Sequence, residues 1–187
     1  LSPHPVFEGD DGPQRLGLPD LARMSEAQRA AHEAIASGPR GKVEGPLAVW
    51  LHSADLANRA QALGAYCRFG SSLPPRLSEL AILVMGAYWQ AGFEWHVHAP
   101  IAEAAGVAPG LIAAIKVRAQ PVFTEPDAKA VHDFARALLD THAVPDDVYA
   151  IARHALGDRG LVDLVGVLGY YGLISMTIKA FRVEIRD

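Results

Sequence analysis

Along most of this chain apolar residues return every three or four positions, the spacing of amphipathic helices. No stretch of useful length alternates with a period of two. "SEAQRAAHEAIAS" (25–37) predicts a helix, with Ser25 as cap and Gln28 three residues on completing a capping box. "GPRGKVEGP" (38–46) reads as a loop. "LAVWLHSADLANRAQALGAYCRFG" gives a short helix and a second that Ser53 or Asp55 starts, closed by Gly70 and "SSLPP". Residues 1–24 lack periodicity, are rich in proline and glycine, and read as an extended N-terminal arm.

The pattern then changes. "PRLSELAILVMGAYWQA" (75–91) is apolar on nearly every side, so its helix belongs in the middle of a core. Gly92 interrupts it, and "FEWHVHAPIAEAAG" follows as a helix ended by Gly106, with Pro100 as a potential kink. "APGLIAAIKVRA" is another short helix. "EPDAKAVHDFARALLDTH" sets Ala130, Val131, Phe134, Leu138 and Leu139 on one face. "PDDVYAIARHAL" and "GLVDLVGVLGYYGLISMTIKAF" complete an all-α chain.

Composition narrows the functional classes. At 187 residues, half of them hydrophobic, the chain fits one domain with a proper core. A net charge of −4 and no basic run argue against nucleic acid or an anionic membrane surface as partner. The stretches near 80–89 and 161–178 carry too many glycines and polar groups for a convincing membrane span. The single cysteine, Cys67, rules out an internal disulfide or a CxxC motif, reads as a small core residue, and fits a cytoplasmic setting.

Candidate chemistry gathers between residues 79 and 98. Glu79 faces Ile82, Leu83 and Gly86, and no further charged side chain follows until Glu94. A carboxylate among hydrocarbon is a candidate proton donor or acceptor near neutral pH; one at a helix start that simply points to water is the plainer alternative. Glu94 and His98 stand one helical turn apart, either as an acid–base pair or as an exposed surface pair. His96 and His98 would chelate a metal from a strand, but on a helix they diverge by about 200°. Trp50, His52 and Trp95 are candidates for shaping a cavity. Tyr170 and Tyr171 read as core or interface, Met85 and Trp89 as packing, and His132, His142 and His154 as solvated.

The segment "LPPRLSELAILVMGAYWQAGFEWHVHAPIAEAAGV" resembles the carboxymuconolactone decarboxylase-like superfamily, which includes the alkyl hydroperoxide reductase D-like proteins. The shared pattern runs Arg76-Leu77-Ser78-Glu79-Leu80-Ala81-Ile82-Leu83, then Glu94-Trp95-His96-Val97-His98, then Ala102 to Gly106. The likeness extends over most of residues 45–181. In the peroxidase branch the working groups are a glutamate, a CxxC pair and a histidine. By position the glutamate and histidine fall on Glu79 and His98, and the two cysteines on Ala91 and Glu94. A CxxC-dependent peroxidase is therefore excluded.

What the resemblance implies is a compact helical bundle assembling as a trimer or hexamer, with the apolar terminal helix as an interface element. It also implies a cofactor-independent lyase or isomerase acting on a small carboxylic acid or lactone, with no resident metal. Glu79, Glu94 and His98 are then the expected catalytic groups, and Trp95, His96, Trp50, His52 and Arg76 the expected substrate contacts. Arg76 or Arg68 would read a substrate carboxylate. Two alternatives stand beside this: a metal-dependent enzyme using Glu79, Glu94 and His98, and a helical oligomer that only binds a small ligand.

Overall fold

The computed structural model describes residues 12–185. Among these residues eight α-helices follow one another: α1 (Glu26–Ala36), α2 (Gly45–Trp50), α3 (Ala54–Ala65), α4 (Pro75–Trp89), α5 (Gly92–Ala104), α6 (Pro109–Lys116), α7 (Pro126–Thr141) and α8 (Asp146–Phe181). Among the described residues there is no strand. Gly157, at φ 69°, breaks α8 into the two segments that the sequence spacing predicts. A π turn, Tyr66–Gly70, ends α3.

α4 is the central element and is buried without interruption from Leu77 to Ala87. It packs principally against α8, α5 and α7. Burying Leu77, Leu80, Ile82, Leu83, Val84 and Met85 contributes roughly 1.5–3 kcal/mol per side chain. That is enough to offset the several kcal/mol that a dehydrated charge costs. The core can therefore hold ionisable groups where it has a use for them.

Local signals act as expected at several ends. Ser25 Oγ accepts from the Gln28 amide at 3.2 Å, and the Gln28 side chain accepts from the Ser25 amide at 2.9 Å, so the capping box at α1 is complete. Pro100 sits inside α5 without ending it. Both Pro100 and His96 are exposed, so the carbonyl that Pro100 leaves unpaired lies on the solvent side. The reversal between α4 and α5 is made by Gln90 at φ 51° rather than by Gly92, which is already helical. The Ala91 amide bonds back to the Gly86 carbonyl at 2.9 Å, and this tight turn lays α5 along α4.

The N-terminal arm does not extend away from the body, within the residues described. The Arg15 amide donates to the Phe181 carbonyl at 2.9 Å, and the Gln14 amide to Glu184 at 3.0 Å. A 3₁₀ turn at Leu21–Arg23 leads into α1. Residues 1–11 of the expected arm lie outside the described residues. α8 is, by length and composition, apolar enough to cross a membrane, with a mean hydropathy of 1.7, contrary to the sequence expectation. Yet 61% of that window is buried inside the protein, as the core helix of a globular domain is. His132, expected in solvent, is buried against the Phe123 ring, with centroids 5.0 Å apart.

Candidate active site

α4 carries Glu79 and α5 carries Glu94 and His98, and the tight turn at Gln90 brings the three together. His98 Nδ1 lies 2.7 Å from Glu79 Oε2, and His98 Nε2 lies 2.9 Å from Glu94 Oε1. All three residues are buried, at 3–4% exposure, so neither plain alternative describes them: Glu79 does not point to water, and Glu94–His98 is not a surface pair. His96 is exposed while His98 is buried, which is the divergence a helix imposes on an HxH pair.

Electrostatics fix the charge on His98. Burial by itself lowers its pKa, but the charge of Glu94 and the hydrogen bonds from Glu79 and Glu94 outweigh this. They carry it from 6.5 to about 9. His98 is therefore an imidazolium at neutral pH, donating from both ring nitrogens. Glu79 was expected in a shared hollow with Glu94 and His98, kept protonated as a proton donor. Its Oε2 instead accepts from His98.

The expected metal alternative finds little in this geometry. Glu79 and Glu94 meet opposite ring nitrogens of His98, so the three side chains form a line and share no open focus. Among the described residues no group of three or more His, Cys, Asp or Glu is arranged to hold a metal ion.

Glu94 and His98 form part of the wall of a cavity of about 590 Å³, a size suited to a small organic ligand. Glu79 lies behind that wall. Apolar surface comes from Leu47, Phe93 and Ile174, and Phe69 stands at the edge. Tyr170 and Tyr171 of α8 also line it, with the Tyr171 ring edge-on to His98 at 5.2 Å. Cations come from the loop after α1 (Arg40, Lys42) and from the π turn (Arg68). Lys42 pairs with Glu44 at 2.6 Å, whereas Arg40 and Arg68 form no ion pair among the described residues.

Of the substrate contacts expected from sequence, His96 lines this cavity, as does Arg68, expected there as a carboxylate partner. Trp50 Nε1 donates to Thr177 at 2.9 Å inside the core. His52, exposed, hydrogen-bonds the Gly17 carbonyl at 2.9 Å and so ties down the N-terminal arm. Trp95 is buried away from the cavity wall. Arg76 pairs with Asp127 at 2.7 Å, joining the starts of α4 and α7. Sequence reasoning missed Arg40 and took Tyr171 for a core or interface residue; neither stands in a local pattern that announces a site.

The comparisons with known proteins follow this geometry. The sequence model of the carboxymuconolactone decarboxylase family matches residues 54–137, which contain the π turn, α4 and α5. Over those residues, a little under half of its length, the chain is similar to the carboxymuconolactone decarboxylase family. It lacks the CxxC pair, since Glu94 stands where the resemblance places the second cysteine. The one cysteine, Cys67, is buried, and burial together with Asp163 pushes its thiol up, away from the reactive thiolate.

No curated protein matches this chain by sequence. Solved structures do match its fold. One is an uncharacterised peroxidase-related protein with an alkylhydroperoxidase AhpD core from Ralstonia eutropha JMP134, at TM-score 0.77 and 18% identity, covering 94% of each chain. A second is a peroxidase-related protein from Silicibacter sp. TM1040, at TM-score 0.74 and 16% identity, covering 96% of this chain and 95% of that one. The debrominase Bmp8 aligns at TM-score 0.71 and 11% identity over 92% of each chain. At these identities the likeness is one of fold.

Proposed function

We propose that this protein is a cofactor-independent acid–base enzyme acting on a small carboxylic acid or lactone, moving a proton at carbon beside a carbonyl. The observation that carries this reading is the buried Glu79–His98–Glu94 line ending at the cavity. Glu94 is the group that meets the substrate. It takes a proton from carbon and returns it to carbon, so the protein's protonation is unchanged over a cycle. His98, held by Glu79 at Nδ1, donates to Glu94 at Nε2, which fixes the Glu94 carboxyl and stabilises its charge. Arg40 and Arg68 favour an anionic substrate at the cavity.

Similarity to the family makes an enzyme plausible, and a debrominase shares the fold, but the missing CxxC pair turns attention from sulfur to carboxylate and imidazole. Assembly as a trimer or hexamer belongs to the same proposal, with the exposed Val162, Val165 and Met176 on α8 as the surface it would use.

The test is proton exchange at carbon. Incubating the protein in D₂O with a panel of lactones and oxo acids, followed by NMR, should show deuterium entering next to a carbonyl. Glu94→Gln and His98→Gln should each slow that exchange about a hundredfold or more. Exchange at the wild-type rate in both variants would overturn the reading.

A further inference from the structure

Two side chains that line the cavity each carry a buried polar atom with no hydrogen-bond partner in the protein. Tyr171 is 2% exposed, yet its hydroxyl makes no hydrogen bond, and the Nε of Arg40 is buried in the same condition. Buried polar groups are satisfied in the great majority of cases, so two unsatisfied donors on one cavity ask for a reason. Both residues line the space that Glu94 and His98 also line.

Their positions are built rather than incidental. An Arg40 terminal nitrogen donates to Tyr170 Oη at 3.2 Å, leaving Nε on another edge of the guanidinium. The Tyr170 ring stands edge-on to Tyr171, at 5.2 Å and 89°, and Tyr171 stands edge-on to His98, at 5.2 Å and 86°. α3 makes room for this arrangement with Gly64. A Cβ there would lie 2.1 Å from Tyr170 Oη and 2.6 Å from an Arg40 terminal nitrogen. The loop after α1 supplies the guanidinium, α8 supplies the two tyrosines, and the α3 backbone at Gly64 leaves room for Arg40 and Tyr170 to meet.

We infer that Tyr171 Oη and Arg40 Nε form a carboxylate-binding subsite, which holds the acid group of the substrate and brings its neighbouring carbon to the Glu94 end of the cavity. A guanidinium only donates, a neutral phenol has one O–H to donate, and an ionised carboxylate only accepts. Burial, with Glu94 next, drives the Tyr171 hydroxyl well above its ordinary range, so it stays a donor at working pH. The apolar wall of Leu47, Phe93 and Ile174 suits an acid with a hydrocarbon or aromatic body. This subsite rests on the cavity being the substrate site, but not on the chemistry assigned to His98.

The experiment uses benzoate as probe and benzamide as its neutral counterpart, titrated into the full chain by calorimetry. Wild type should bind benzoate in preference to benzamide. Tyr171→Phe and Arg40→Gln should each weaken benzoate about tenfold or more, with benzamide unchanged. Tyr171→Phe should melt no lower than wild type, because the hydroxyl it removes has no partner to lose. Equal binding of benzoate and benzamide by wild type, benzoate affinity unchanged in Tyr171→Phe, or a lowered melting temperature in that variant would each overturn the subsite. If Glu94→Gln and His98→Gln both left proton exchange untouched while Tyr171→Phe still lost benzoate, the subsite would stand and the proposed reaction would fall.

Discussion

Glu79 and His98 lie 19 positions apart on different helices, yet Oε2 of one and Nδ1 of the other approach to 2.7 Å in a nearly dry core. With Glu94 on the opposite ring nitrogen, one imidazolium is shared by two carboxylates. The charge state of His98 is therefore the property from which most expected behaviour follows.

His98 should not titrate as an ordinary histidine. Its imidazole resonances should move with a midpoint near pH 9 rather than 6.5 in an NMR titration. Because the folded-state value is raised, the associated stability is fully present below about pH 6.5 and is lost as pH rises through 9. Melting temperature should fall across that interval in wild type, and less steeply in His98→Gln.

The two carboxylates should not be equivalent. The charge of Glu94 is the largest influence raising His98, so Glu94→Gln should lower the His98 midpoint more than Glu79→Gln does. Removing the imidazole by His98→Ala leaves both carboxylates buried without a counter-charge, at a cost of about 3–5 kcal/mol in chemical denaturation. Equal midpoints in the two Gln variants would contradict this ordering.

Gly64 is a packing requirement of the cavity. Gly64→Ala places a methyl group against Tyr170 Oη and Arg40, and should cost about 1–3 kcal/mol. Because the guanidinium must shift, the same variant should also weaken benzoate binding. Stability loss with unchanged binding would show that Arg40 is not held by this contact.

Trp50 serves as a structural contrast. Trp50→Phe removes the hydrogen bond to Thr177 and should cost about 1 kcal/mol. Proton exchange at carbon should continue at the wild-type rate, since Trp50 does not line the cavity. A selective loss of turnover would restore Trp50 to the site.

The proposed assembly gives a last test. Val162→Glu with Val165→Glu puts two charges on the exposed face of α8, beside no packed core. Light scattering coupled to size-exclusion chromatography should report an oligomer for wild type and a smaller species for the double variant. A wild-type monomer would remove the assembly proposal.

The linear pattern determined what is local. Ser25 and Gln28 specify a helix start by reaching three residues, and the all-round apolarity of residues 77–87 specifies a central helix. Glu94 and His98 share a face because four residues make about one helical turn. Tertiary structure decided what is distant. Arg40 meets Tyr170 across 130 positions, and the guanidinium then stands at a cavity that no nearby residue foretells. Arg76, beside the motif in sequence, is turned to Asp127 instead, and Trp50 and Trp95 are spent in the core. Periodicity records which side of a helix avoids water, because burial acts on every turn alike. It does not record which side chain from another helix will be waiting there, since that depends on how the helices cross.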